Sequence, residues 1–274
     1  RHSFPTRRSS DLSVQVQALT TAQIVGLTTK QISDLNTVTL QALSAKQIAA
    51  LETGDVSLLG SSNIKSLSSA QIRALTTAQI VALTTAQVQA IETTDIAALK
   101  TSQVAALTST QLGALSTVHV TALGTAALQG LSADLVGQLS TAQLTALSST
   151  QLGGLETQDL AVLSTEQVRA LSQDQVQALS TDQVVALTTV QVGGMSNNQV
   201  GALLSEQIAA MSTDQLAAWS TAQIAAISTQ AVEGLSSTDM AALSTAQLAA
   251  LGTSQVAALS ADQMQAITVA AMPS

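Results

Sequence analysis

From Leu19 to Ile267 an apolar residue returns every eight positions, with no insertion or deletion. The stretch LSTAQLAALGTSQVAAL (residues 243–259) shows the unit. With the landmark numbered position 1, the consensus is Leu, Ser/Thr, Thr, any residue, Gln, Val/Ile/Leu, Ala, Ala. Eight matches neither the 3.6 of a helix nor the 2 of a strand. A register that never slips means that each unit packs on other units, because one inserted residue would misplace every later side chain. A flexible low-complexity linker feels no such constraint. Residues 13–274 are therefore expected to form a single array of about 32 octads.

Three architectures can carry such a period. In one continuous helix the apolar stripe would drift by about 80° per octad and never form a face. In a β-solenoid, Thr, Val and Ile suit strands, but positions 1 and 6 have opposite parity and would point to opposite faces of one strand. No regular Asn-Gly or Asp-Gly turn divides them. The third is a string of short helices, one per octad. Ser/Thr of position 2 then becomes the N-cap and Gln of position 5 falls at N3, giving the S/T-x-x-Q capping box, while the aliphatic residues of positions 1 and 6 occupy the staple positions that fix chain entry.

Charge placement favours the helices. Fourteen of the sixteen acidic residues after the opening segment lie at positions 2, 4 or 5, the cap or first turn; Asp34 and Glu233 are the exceptions. Carboxylates favour the positive end of a helix dipole, and a β-coil has no reason to sort them so. Every Gly except Gly54 sits at position 7, 8 or 2, around the helix junction. One Leu and one Val cannot offset the ordering of eight residues, so octads must stack into a solenoid stabilised by nearest-neighbour contacts. The expectation is an all-α superhelical solenoid of about two-turn helices, with a β-solenoid as the alternative. The number of octads per superhelical turn stays open.

The opening, RHSFPTRRSSDL, does not share the pattern. Residues 2–12 read as the in-frame translation of a short-read sequencing adaptor, so residues 1–12 are expected to have no part in the fold, and the array to be a fragment of a longer gene. Trp219 is then the single aromatic of the array, at a core landmark position, and six Lys/Arg face sixteen Asp/Glu. Acidity argues against nucleic acid, which needs a basic footprint. Ser, Thr and Gln interrupt every octad, so no apolar run reaches the ~20 residues of a membrane span. The absence of Cys excludes disulfides and Cys-based zinc sites.

Chemistry is sparse. His119, at the usual place of Gln, is read as a cap variant, since no partner for a general base lies near it in sequence. No phosphate-cradling Gly-rich loop and no G-x-S-x-G elbow occur. The one constellation is ETGD, ETTD and ETQD: Glu52 with Asp55, Glu92 with Asp95, and Glu156 with Asp159. Each pair lies on one helical turn. They read first as caps with Asp as acceptor, and second as weak calcium sites should a stacked neighbour add oxygens. No catalytic residue, cofactor site or resident metal is assigned.

The LTTAQIVALTTAQVQAI stretch (Leu75–Ile91) resembles the Leu-Thr-Thr-Xaa-Gln octapeptide arrays of very large bacterial secreted or surface proteins, some of them adhesin-like. The resemblance spans residues 13–274. It implies a non-enzymatic spacer or stalk, extracellular or on the cell surface, with terminal modules elsewhere in the full-length protein and a uniform Ser/Thr/Gln surface. The alternative is a multivalent array whose repeated face holds a glycan or protein ligand by many weak contacts.

Overall fold

In the computed structural model, residues 9–270 are described, and the chain divides into two compact units, Arg1–Gln138 and Leu139–Ser274. The adaptor-like segment lies outside the described residues as far as residue 8; its last residues, from Ser9, open the helix Ser9–Gln17. Among the described residues there are 31 α-helices, one 3-10 helix (Ala231–Gly234) and no strand.

Between a nine-residue helix at the start and a ten-residue helix at the end (Ala261–Ala270), each α-helix has four to six residues. Two-turn helices were expected; the helices run to about one and a half turns at 3.6 residues per turn. The reason is that positions 1 and 2 both leave the helical region. In the octad of Ala45–Ala50, the N-cap Ser44 (φ −70°, ψ 160°) and the C-cap Leu51 (φ −60°, ψ 138°) are extended. The chain leaves each helix without a left-handed residue: no described residue has a positive φ.

Capping is as the octad predicts. The Gln47 N–H donates to Ser44 Oγ (3.3 Å) and the Ser44 N–H donates to Gln47 Oε1 (2.8 Å). Where position 2 cannot accept, half the box survives: the Leu204 N–H donates to Gln207 Oε1 (2.9 Å) and the Gly252 N–H to Gln255 Oε1 (2.8 Å).

Three octads make one superhelical turn. In the first unit each helix packs on the third one along the chain: Ser9–Gln17 on Thr37–Ala42, and Thr21–Val25 on Ala45–Ala50. The second unit repeats this, with Asn197–Ala202 on Thr221–Ala226 and Ser237–Ala242 on Ala261–Ala270. Position 6 forms the innermost core, with Ile24, Ile72, Val104, Val192 and Ile224 each 0% exposed. Position 1 forms a second buried row, including Leu43, Leu83, Leu187 and Trp219.

Small residues at positions 7 and 8 permit close stacking. A Cβ on Gly234 would collide with the carbonyl oxygen of Ser205, and one on Gly194 with the methyl of Thr165; both neighbours lie 29 residues earlier. A Cβ on Gly201 would stand 2.8 Å from the Ala226 carbonyl oxygen. Outside the core, side chains tie successive turns at a spacing of 25 residues: Gln89 Nε2 donates to the Ala114 carbonyl (3.1 Å) and Thr101 Oγ1 to that of Ala126 (3.2 Å).

Candidate functional site

The side chain with the richest chemistry in each octad is the Gln of position 5, and it is not on the surface. Gln79, Gln103 and Gln207 are each 1% exposed. This corrects the expected Ser/Thr/Gln surface in one respect: the position 5 Gln is used up between turns, and the Gln left outside, such as Gln41 and Gln89, lie at other positions. Its Oε1 accepts the N-cap N–H of its own helix, while its Nε2 reaches the turn below. In the first unit Gln79 Nε2 donates to the carbonyls of Ile48 (2.9 Å) and Leu51 (2.7 Å). In the second, Gln199 Nε2 donates to those of Val168 and Leu171, both at 2.8 Å. The acceptors lie 31 and 28 residues back, at position 6 in the last turn of a helix, whose carbonyl also accepts the position 1 N–H, and at position 1 just beyond it. One amide therefore caps two helices, the start of its own and the end of one in the preceding turn.

Sequence reasoning assigned the Gln to its own cap and missed the second role. The signal was present: a capping box accepts Glu as readily as Gln, yet no octad from Leu19 to Ile267 has Glu at position 5. A carboxylate accepts but cannot donate. Asn63 keeps the donation, with Nδ2 2.8 Å from the Leu35 carbonyl.

His119 takes the place of Gln in its own cap: its Nδ1 accepts the Ser116 N–H (3.3 Å) and its backbone N–H donates to Ser116 Oγ (3.2 Å). An Nδ1 that accepts belongs to a neutral ring, and burial holds the pKa below the usual 6.5. The cap-variant reading of His119 describes what the ring does.

The three acidic pairs are not brought together. No group of three or more His, Asp or Glu side chains suited to a metal ion occurs among the described residues. In each pair the Glu is an exposed N-cap and the Asp is buried at position 5. Asp159 Oδ2 accepts the Glu156 N–H (2.9 Å), and its buried Oδ1 has no partner. Asp95 Oδ1 accepts from Ser69 Oγ (2.5 Å), while Glu92 stands 3.8 Å from Lys65 Nζ. Asp55 keeps an unpartnered buried Oδ2. Burial pushes the Asp55 and Asp159 carboxyls above the ordinary carboxylate value, opposed by the backbone N–H each accepts and helped by the neighbouring Glu charge. The acceptor reading describes Asp159, whose Oδ2 takes the N–H of its own cap, whereas Asp95 accepts instead from a hydroxyl 26 residues earlier. Trp219 is 2% exposed, with a buried Nε1 that lacks a partner; its carbonyl takes the amide of Gln247 (2.7 Å), as any position 1 carbonyl would.

No helix among the described residues is long and apolar enough to cross a membrane. A search of curated proteins gives no match to this chain. A family model, that of the ALTTAQ repeat, matches residues 48–85, 88–125, 152–189, 184–213, 209–244 and 232–269. The cap, its two filler residues and the bridging Gln on which the stack depends are the last four letters, TTAQ, of that name, and with most of its length matched the chain belongs to the ALTTAQ repeat family.

Proposed function

We propose that this structural repeat array serves as a non-enzymatic spacer in a large bacterial surface or secreted adhesin-like protein, holding other modules at a distance. One observation carries the reading. The polar groups that recur in every octad are spent on the stack itself: the hydroxyl of position 2 in its own cap, and the amide of position 5 in two caps at once. What the octads turn outward is mainly Ser, Thr and Ala with scattered carboxylates, Gln and Val, a surface suited to spacing rather than to chemistry. An extracellular location accords with the acidic, Cys-free composition.

The test is to duplicate whole 24-residue turns and follow the maximum dimension by small-angle scattering, alongside binding to glycan and protein panels. A spacer grows in equal steps per added turn and stays inert. Saturable binding that strengthens with each added turn would replace this reading with that of a multivalent array.

A further inference from the structure

In the second unit one octad breaks the rule of the bridging Gln. From Gln143 to Gln263, position 5 carries an amide or a carboxylate everywhere except at Ala231. An amide there would reach the carbonyls of Val200 and Leu203, as Gln207 in the turn before reaches those of Val176 and Leu179. Val200 keeps a partner, since its carbonyl accepts the Leu203 N–H (3.2 Å). The Leu203 carbonyl accepts from nothing among the described residues, although Leu203 is only 3% exposed. A buried carbonyl without a donor destabilises the chain around it. The same octad holds Glu233 at position 7, far from the cap where the other carboxylates gather.

The surface is hollowed at this place. A hollow of about 440 Å³ is lined by Ala231, Leu203, Glu206, Glu233 and Gln177. Both glutamates are exposed, and neither is ion-paired among the described residues. Through Gln177 and Gly201 it adjoins a second hollow of about 370 Å³, which adds Asn197 and Asn198. Through those two it adjoins a third, of about 520 Å³, lined also by Arg169. Asn-Asn occurs in no other octad, and the side-chain amides of Gln177, Asn197 and Asn198 make no hydrogen bond. Gly193, Gly194 and Gly201 stand where Ala is usual, so no methyl fills the floor. The result is a trough with carboxylates at one end, free amides along it and a cation at the other.

We propose that this trough binds an extended stretch of a partner polypeptide and takes a lysine or arginine side chain into the hollow beside Ala231. The unpartnered carbonyl and the two unpaired carboxylates are all acceptors. A cationic donor satisfies them together: an ammonium brings three N–H donors and a guanidinium five. Side-chain amides both donate and accept, which matches the peptide groups on either side of that residue. No aromatic ring lines the trough to stack on a sugar, since Trp219, the one aromatic of the second unit, is buried. Ten Asp/Glu against Arg169 alone in residues 139–274 give that unit a field that draws basic partners. The site arises from departures from the octad, so it adds one point of attachment to a spacer and does not multiply with the repeat.

The test is fluorescence anisotropy of labelled Gly/Ala peptides titrated with the whole chain, each peptide carrying one Lys, one Arg or, as the neutral twin of Lys, one norleucine. The Lys and Arg peptides should bind saturably, at one site per chain and more weakly as salt rises, and the norleucine peptide should not bind. Ala231→Gln restores the consensus amide, caps Leu203 and fills the hollow, so it should abolish binding while raising the melting temperature. Glu206→Gln and Glu233→Gln should each weaken binding about tenfold, the scale of a lost charged hydrogen bond. Asp214→Asn, at an exposed carboxylate outside the trough, should bind as the parent does. Should Ala231→Gln lose its helical circular dichroism, the two glutamate variants carry the test, since both lie at exposed positions. A parent that binds no basic peptide, equal binding of the norleucine peptide, full binding by a folded Ala231→Gln, or equal losses in Asp214→Asn and Glu206→Gln would each overturn the proposal. A stoichiometry that rises with duplicated turns would overturn it too, and would favour the multivalent array.

Discussion

At the scale of the residue, the octad depends on a distinction between Gln and Glu that hydropathy cannot see. Gln87 is 2% exposed and donates to the carbonyls of Val56 (2.8 Å) and Leu59 (2.7 Å). Gln87→Glu keeps the acceptor for the Thr84 cap and removes both donations, turning a carboxylate toward two buried carbonyls. The expected loss is about 3 kcal/mol by urea unfolding, the scale of orphaned buried polar groups. Asp239 shows how the array tolerates an acid: the shorter side chain stays within its own cap, accepting from Ser236 N (2.8 Å) and Ser236 Oγ (2.6 Å). Two residues make stability depend on pH in opposite senses. The folded His119 pKa lies below the ordinary 6.5, so its contribution is present above that value and is lost as pH falls through the folded pKa. His119→Gln should remove this acid-side loss from melting curves. The folded Asp159 pKa is raised, so its contribution is fullest below the ordinary 3.8 and fades as pH climbs through the folded pKa. Asp159→Asn should therefore gain on the parent as pH rises, and an unchanged difference between the two melting profiles would remove desolvation as the cause.

At the scale of the element, local signals suffice to start a helix and tertiary contacts decide how it ends. The N-cap, the N3 Gln and the aliphatic residue after it are all adjacent in sequence, which is why helix starts were legible. Helix ends were less so, since their carbonyls are satisfied from a turn that lies about 30 residues away, as Leu59 is by Gln87. The clearest departure is Ala231, which stands where Gln is usual and falls in the 3-10 segment Ala231–Gly234, closed by an N–H to Ser228 Oγ bond of 3.1 Å. Gly234 ends that segment against the Ser205 carbonyl oxygen. Gly234→Ala must push the two turns apart, and since the obstacle is backbone the expected cost is about 2 kcal/mol, in the range of overpacked cores. Gly54, with nothing near its Cβ, is the control: Gly54→Ala should be neutral or slightly stabilising in the same unfolding assay.

At the scale of the whole molecule, each unit is a sum of turn-on-turn interfaces, so protection should follow how deeply the apolar positions of each octad are buried. Amide exchange is expected to be fastest in the octads of Leu19–Leu35 and Leu251–Ile267 and slowest within each unit. A uniform rate throughout would contradict nearest-neighbour stability. The sequence by itself determined that there is a repeat, that its period is eight, that each octad is a capped helix, and which two positions are apolar. Those follow from bonds between residues three or four apart and from the arithmetic of the period. Only the tertiary structure decided that three octads complete a turn, that position 6 is the innermost row, and that the Gln is buried. The physical reason is that hydrogen bonds 28 and 31 residues long, such as those from Gln79 to Leu51 and Ile48, leave no mark on local periodicity. They depend on how far one turn climbs over the last, and that is set by small residues such as Gly234 meeting the backbone of the turn before.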